Sequence, residues 1–420
     1  MPAYYVVTLG CKLNQFDSAR AEGILRGGEY VATDDPARAD VILLNTCTVT
    51  ARADAEGRRL ARQLRRLNPA ARIVATGCYA ERDPEALRRL GVVDAVVGLR
   101  DRARLPEALL GDDECVTAPA SLFFGDRARA FLRVQEGCDL ACSYCVIPQV
   151  RGPSRSVGAA EIVAQAADLA RCGVREIGLT GVNVGAWGHD LEPRRDLAAL
   201  LREMLAADPG PRIRLNSLEP RTVGAPLVEL LAREPGRLAP HVQVPLQSGS
   251  DHVLGRMSRN YRTRFYAELV ERLVARVPDI CVGADVIAGF PGETEDDHRA
   301  TLAFVGSLPL AYLHVFSYSP RPGTRAAAFG APVPAPEARR RTAELRAVGA
   351  RLRRAFRERM LGRRLDALVL HAQSGDGWAR TLTGNYIEVL VPRAPAGEIV
   401  PVRLAAVEDD GETVRGEVAA

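Results

Sequence analysis

The hydrophobic pattern along the first hundred residues alternates between two periods. Short apolar runs at 4–9, 40–46, 72–76 and 94–97 read as strands. The stretches 14–26, 58–67 and 84–90 carry apolar positions every three to four residues, the period of a helix with one buried face. This βα repetition predicts a parallel sheet covered by helices. From about residue 128 to 325 the rhythm runs six more times at wider spacing, with strands predicted at 131–135, 176–180, 212–216, 241–245, 281–287 and 312–318. Helical patterns at 159–171, 197–206, 226–232, 264–276 and 295–308 separate them. Six βα units fit an open or partial parallel barrel with its working groups on the loops after the strands, or else an open doubly wound sheet.

The Pro-rich stretch 331–336 breaks the chain before a long predicted helix. Leu345, Val348, Leu352, Phe356 and Met360 give that helix one apolar face, and arginines crowd the others, as in a solvated linker or an RNA contact. Beyond it, strands are predicted at 367–371, 379–382, 386–391, 399–405 and 414–418. Turns at Ser374-Gly375, Gly384-Asn385 and Asp410-Gly411 part them, the pattern of a small antiparallel barrel. The expected fold class is α/β, in three domains over 1–112, 126–355 and 360–420.

Composition narrows the class. The 420 residues are 47% apolar and 26% charged, which excludes general disorder and a small disulfide-stapled scaffold. No apolar run approaches the roughly 18 residues of a membrane span, and the opening MPAYYVVTLGC lacks a basic leader, so a cytoplasmic protein is expected. A net charge of +4 does not by itself demand a nucleic-acid partner. Lys12 is the only lysine and every other Lys or Arg is arginine, a bias read as genome composition.

An odd number of cysteines, nine, in a reducing compartment favours metal ligation or redox chemistry over disulfides. Cys11, Cys47 and Cys78 each follow an apolar strand, in YYVVTLGC, VILLNTC and RIVATGC. In a parallel sheet such loops share one edge, so the three can meet. A single cysteine there is most simply a small apolar strand end, but three in consecutive βα units make a ligand set. Three thiolates are one short of a closed tetrahedral zinc site or a saturated four-iron cluster, which leaves an open position.

Cys138-Asp-Leu-Ala-Cys142-Ser-Tyr-Cys145 follows the first strand of the second region. Its Cys-x3-Cys-x2-Cys spacing lets three thiolates hold three irons of a cubane. A zinc knuckle would want a fourth ligand in the loop, and the nearest downstream histidine is His189. Polar groups follow the later strands too: Gly181 and Asn183, Ser217 and Glu219, Gln247 and Gly249, then Asp285 and Ile287. Their recurrence at one barrel mouth predicts a ligand site, although each alone could serve turn geometry.

The cysteine loop, with Tyr144 before its third Cys, resembles the radical S-adenosylmethionine superfamily. The three-cysteine α/β region, this barrel and a C-terminal piece similar to a TRAM domain around 377–381 and 385–389 together resemble the methylthiotransferase family over essentially the whole chain. TLGCKLNQFDS at 8–18, LTGVNVGAWGHD at 179–190 and LHVFSYSPRPGTRAA at 313–327 are similar to the branch that modifies N6-threonylcarbamoyladenosine in tRNA. The isopentenyladenosine branch typically has Gln-Met-Asn, and the ribosomal-protein branch Pro-Lys-Asn, where this chain has Lys12-Leu13-Asn14. Thr383-Gly384 stands where Thr-Glu is common in TRAM relatives.

The resemblance implies two 4Fe-4S clusters and S-adenosylmethionine. Cys138, Cys142 and Cys145 would hold the cluster that yields a 5′-deoxyadenosyl radical, which takes hydrogen from C2 of the adenine. Cys11, Cys47 and Cys78 would hold the one that supplies sulfur, and a second S-adenosylmethionine would give the methyl group. Tyr144, Gly181, Asn183, Ser217, Glu219, Gln247, Gly249, Asp285 and Ile287 are the expected cofactor contacts, and no acid–base pair is assigned. Expected partners are the tRNA anticodon stem-loop, an electron donor such as flavodoxin or ferredoxin, and a sulfur donor, with no membrane. Arg380, Arg393 and Arg403 are candidate RNA contacts, or else ordinary solvated arginines. The alternatives are methylthiolation of isopentenyladenosine in tRNA or of a ribosomal-protein aspartate, and a non-catalytic zinc-bound RNA-binding protein. Cys172 and Cys281 are expected to be buried for packing, and Cys115 has no assigned task.

Overall fold

The computed structural model describes residues 1–111, 122, 128–371 and 377–419. Cys115 and the Ser374-Gly375 turn lie outside the described residues. The first region is a five-stranded sheet in the order Val31–Ala32, Ala3–Thr8, Val41–Thr46, Arg72–Gly77 and Ala95–Val97, parallel throughout. Val41–Thr46 is buried along its whole length, as a strand covered on both faces must be. The helix expected from residue 58 starts earlier, at Ala51, where the Thr50 hydroxyl accepts from the Ala53 amide at 3.1 Å. Its first turn is polar, so hydrophobic periodicity did not reveal it.

All six central strands form and run parallel in chain order. Arg129–Arg133, Glu176–Thr180 and Arg212–Leu215 make one three-stranded sheet, and His241–Gln243, Cys281–Ala288 and Tyr312–Ser317 make the next. Parallel bridges at Ile213–Leu238 and Ser217–Gln243 join the two, which gives a partial (β/α)6 barrel. The strand expected at 131–135 is split: after Arg133 the chain turns, and Gln135–Glu136 pairs antiparallel with Arg155–Ser156. Gly137 makes this turn possible, because it sits at φ +73° and a Cβ there would lie 1.8 Å from the Pro153 carbonyl oxygen.

The last strands, Arg364–His371, Trp378–Thr383, Glu388–Pro392, Val414–Val418 and Ile399–Val407, close into a barrel in that order. It is antiparallel except where Glu388–Pro392 meets Val414–Val418 in parallel. The helix Ala335–Arg359 fastens this barrel to the central one. Leu345 and Val348 enter the central core, while Phe356, with Met360 just beyond the helix, enters the C-terminal core. Arg341 on the same helix is buried against Glu293, Glu295 and Glu337 rather than solvated.

A second fastening lies at the strand starts of the central barrel. Glu176 is fully buried and bonded by Arg129, Arg212 and Arg214. Arg214 continues to the Gly384 and Thr383 carbonyls at 2.8 and 3.0 Å, and Arg212 to the Asp366 carbonyl at 3.0 Å. Tyr386, expected within a strand, instead precedes it at φ +68°, with its ring 4.3 Å from the His241 ring. Cys281 is buried as expected, but Cys172 is exposed, because it follows the last turn of the helix Ala159–Arg171 and bonds back only through its amide.

Burial alone would raise the Glu176 carboxyl, but Arg214, Arg212 and Arg129 outweigh it and hold it well below the usual carboxylate range. Its stabilisation is therefore complete above the ordinary value of 4.5 and lost as pH falls through the folded-state value. Glu176→Gln leaves three guanidinium groups without their buried carboxylate and is expected to destabilise the protein by ~3–5 kcal/mol at neutral pH. Urea unfolding measures this, and a loss below about 1 kcal/mol would contradict the role given to the cluster.

Candidate functional site

The three cysteines at the first sheet's edge are drawn together by glycines and one asparagine. Gly10 and Gly77, at φ +98° and +93°, precede Cys11 and Cys78. A Cβ on Gly10 would stand 2.9 Å from the Cys47 sulfur, and one on Gly77 would stand 2.4 Å from the carbonyl of Thr46, just before Cys47. Each loop is thus pressed onto the next at a point only glycine can occupy. Asn14 then ties all three: its Nδ2 donates to the carbonyls of Leu9 at 2.7 Å and Thr46 at 3.0 Å, and its Oδ1 faces the Cys78 sulfur at 3.7 Å. Cys47 and Cys78 are buried and Cys11 is exposed.

The second set lies on the loop after Arg129–Arg133, at the mouth of the central barrel. The Leu140 amide donates to the Cys138 sulfur at 3.4 Å, and Arg259 Nη1 donates to the Cys142 sulfur at 3.1 Å. Arg259 is held in place by both oxygens of Glu219, at 2.5 and 2.6 Å. Burial pushes the thiols of Cys78 and Cys145 up to about 12 and raises Cys47 and Cys138 as well. Buried sulfurs of this kind ionise against a metal's charge and release their protons to it. Among the described residues no group of three His, Cys, Asp or Glu side chains is gathered around one point. A cubane gives each thiolate its own iron, so its ligands spread more widely than those of a single ion. The donor sets fit such clusters.

Arg151 joins the two sets. It lies in the short helix Ile147–Arg151 that leaves the second loop, and its Nε donates to the Cys78 sulfur at 3.3 Å. Its other nitrogens reach Glu136 Oε1 at 2.9 Å, Asn14 Oδ1 at 2.7 Å and Asp17 Oδ2 at 2.9 Å. Cys78 also packs with Leu99, Val146 and Val150 in one apolar cluster. Burial works against the Glu136 charge, but Arg102, Arg133 and Arg151 bring its carboxyl down to about 2. Asp54 makes a further tie to Arg82 and Arg321.

A cavity of about 250 Å³ opens beside the second loop. Tyr144, Cys145, Gln247, Asp285 and Ile287 line it, with Val49, Thr50, Phe316 and Tyr318 among the others. Four of the expected cofactor contacts are therefore in one place. Glu219 reaches the same loop through Arg259, whereas Gly181, Asn183 and Ser217 do not line this cavity. Asn183 Oδ1 is buried with no partner among the described residues, an acceptor suited to a ligand hydroxyl or amine. The space over Gly181 is filled by Gln135, and that over Gly249 by the helix Glu295–Ser307, so both permit packing within the chain. Arg380, Arg393 and Arg403 are exposed on or beside the C-terminal barrel's strands.

The sequence gives no site role to Asn14, Arg259, Arg151, Val49 or Phe316. The large exposed apolar side chains of Val49 and Phe316 at the cavity rim offer a face for a flat ring. The sequence singles out Lys12 for composition and for the Lys12-Leu13-Asn14 branch motif but gives it no contact, and its Nζ donates to Asn216 Oδ1 at 2.5 Å inside the barrel. Burial first, then Arg129 and Arg214, lower its ammonium to about 8.

Comparison with known proteins agrees with this architecture. Residues 3–98 match the model described as Uncharacterized protein family UPF0004, and residues 132–305 match the Radical SAM superfamily, which implies a 4Fe-4S cluster and S-adenosylmethionine. The threonylcarbamoyladenosine tRNA methylthiotransferase MtaB of Aquifex aeolicus is 36% identical over 91% of this chain and 95% of its own length. The tRNA-2-methylthio-N(6)-dimethylallyladenosine synthase of Cereibacter sphaeroides (strain ATCC 17025 / ATH 2.4.3) is 36% identical over 96% of this chain and 95% of its own. Among solved structures, the radical S-adenosylmethionine methyltransferase TsrM of Kitasatospora setae shares the fold, with a TM-score of 0.57 and 17% identity over 78% of this chain and 77% of that one. Two adjoining cysteine sets, the partial barrel and these full-length relatives together place the chain in the radical S-adenosylmethionine methylthiotransferase family of enzymes.

Proposed function

We propose that this enzyme adds a methylthio group at C2 of N6-threonylcarbamoyladenosine, next to the anticodon of tRNA. The observation that carries the reading is the approach of the two three-cysteine regions: Cys78 of the first packs with Val146, next to Cys145 of the second, and accepts from Arg151 on the helix that follows. A relative named for threonylcarbamoyladenosine, alike over nearly its whole length, supports the substrate. The reading divides the chain into three domains over 1–112, 126–355 and 360–420, and the helix Ala335–Arg359 runs past the end of the second.

Cys138, Cys142 and Cys145 would hold one 4Fe-4S cluster, and Cys11, Cys47 and Cys78 a second. Bound there, the clusters supply the electron that splits S-adenosylmethionine into an adenosyl radical and the sulfur to be inserted. The protein's own groups do the rest. Arg259 donates to Cys142 and stays charged beside Glu219, which steadies a thiolate ligand. Arg151 does the same for Cys78. Tyr144, Gln247, Asp285 and Ile287 form the cosubstrate's wall, and Phe316 and Val49 shield it from water at the rim. Arg380, Arg393 and Arg403 would meet tRNA phosphates. The reaction further calls for an electron donor such as flavodoxin or ferredoxin and a sulfur donor. Among the described residues no helix is long and apolar enough to cross a membrane, which accords with work on tRNA in the cytoplasm.

Two predictions follow from the division of labour. Cys138→Ala, Cys142→Ala or Cys145→Ala is expected to abolish S-adenosylmethionine cleavage, whereas Cys11→Ala, Cys47→Ala or Cys78→Ala spares cleavage and abolishes sulfur insertion. Anaerobic reconstitution with defined tRNAs and mass analysis of the nucleosides reads both. Equal loss of cleavage from both sets would overturn the assignment, and product on dimethylallyladenosine alone would move the enzyme to that substrate. The triple variant of Arg380, Arg393 and Arg403 to Ala is expected to weaken tRNA binding and lower the salt slope by roughly 0.7 per lost phosphate contact. An unchanged slope would remove these arginines from the interface.

A further inference from the structure

Among the described residues, Lys12 is a cation of the barrel interior with no carboxylate within ion-pair distance. Arg129, Arg212 and Arg214 share Glu176, and Asp285 is engaged by Gln243 at 2.6 Å and His314 at 3.2 Å. Lys12 Nζ donates to Asn216 Oδ1 and stands 5.9 Å from the centre of the Tyr386 ring; no carboxylate among the described residues lies within ion-pair distance. Asn216 is itself fixed, because its Nδ2 donates to the Leu179 carbonyl at 2.6 Å. Glu176 and Asp285 act on Lys12 only from beyond ion-pair distance, so this half-buried ammonium, facing one neutral oxygen and an aromatic ring, gains from a carboxylate in direct contact.

The position of this cation says what would supply the charge. Lys12 directly follows Cys11, so it stands between the first cysteine set and the barrel interior. C2 and N6 of adenine flank N1 on one edge of the ring. A base whose C2 faces the first cysteine set therefore turns its N6 substituent toward groups just beside that set. In threonylcarbamoyladenosine this substituent ends in a carboxylate; in dimethylallyladenosine it is a neutral hydrocarbon.

Resting on the substrate reading above, we propose that Lys12 is the specificity-determining residue of this enzyme: it binds the carboxylate of the threonylcarbamoyl group, and Asn216 positions it to do so. The cation selects an N6 substituent bearing an anion and disfavours an apolar one, which would leave the ammonium unpaired.

The test measures binding of reconstituted holoenzyme to three anticodon stem-loops by fluorescence anisotropy. One carries threonylcarbamoyladenosine, one its methyl ester and one dimethylallyladenosine. The natural enzyme is expected to prefer the free carboxylate over the ester by roughly tenfold or more. Lys12→Met should bind the two alike, at the natural enzyme's affinity for the ester, and Lys12→Arg should restore part of the preference. Asn216→Leu, which leaves the charge but not its orientation, should narrow the preference and raise KM more than it lowers kcat. A Lys12→Met enzyme that still prefers the free carboxylate overturns the inference. So does a natural enzyme indifferent to esterification that still methylthiolates threonylcarbamoyladenosine, and that result leaves the substrate reading intact. Binding and turnover of the dimethylallyl loop alone would instead overturn the substrate reading.

Discussion

Arg151 is the interaction on which the site depends. Its guanidinium is buried and bonded to Glu136 and Asp17, to the Asn14 amide oxygen and to the Cys78 sulfur. Two of these partners are carboxylates, so the charge is compensated, and the fork geometry fixes the angle between the elements that carry them. Those elements are the helix Lys12–Gly27, which carries Asn14 and Asp17, the short helix begun by Cys78, and the strand Gln135–Glu136 that leads into the second cysteine loop. A lysine could offer a point charge but not four directed contacts, so this one planar group ties Cys78 to Asn14, Asp17 and Glu136.

The barrel is closed off at its other end by chemistry of the same kind. Glu176 gathers three arginines, two of which bond carbonyls of the C-terminal barrel, and Tyr386 enters from that side to stack on His241. The interior is thereby lined with fixed charge and aromatic surface. Among the described residues, Lys12 reaches into that interior with no carboxylate within ion-pair distance. The family's chemistry belongs to its cofactors, and the groups this chain adds are those that bind and orient.

Much of the site could be read in the sequence because its ligands obey local rules. Cys11, Cys47 and Cys78 end apolar runs, and periodicity locates strand ends well, so their convergence followed from the parallel sheet. The Cys138 loop carries its spacing within eight residues. What stayed hidden depends on partners far along the chain: Arg151 with Asn14 and Cys78, Arg259 with Cys142 and Glu219, Lys12 with Asn216. An arginine among dozens gives no local sign of which carboxylate will claim it. Tyr386 was placed in a strand because aromatic residues suit one, and the left-handed turn that aims it inward has no counterpart in the hydrophobic pattern. Cys172 was misjudged for the converse reason, since a small apolar residue at a helix end is as easily left outside as buried.

The central proposal is that the chain holds two neighbouring iron–sulfur centres, one on Cys11, Cys47 and Cys78 and one on Cys138, Cys142 and Cys145. Electron paramagnetic resonance of the anaerobically reconstituted, reduced enzyme tests it most directly. The account predicts two four-iron signals that relax each other, one lost when Cys142 is replaced and the other when Cys47 is replaced. A single signal, unaffected by replacing Cys47, would contradict it.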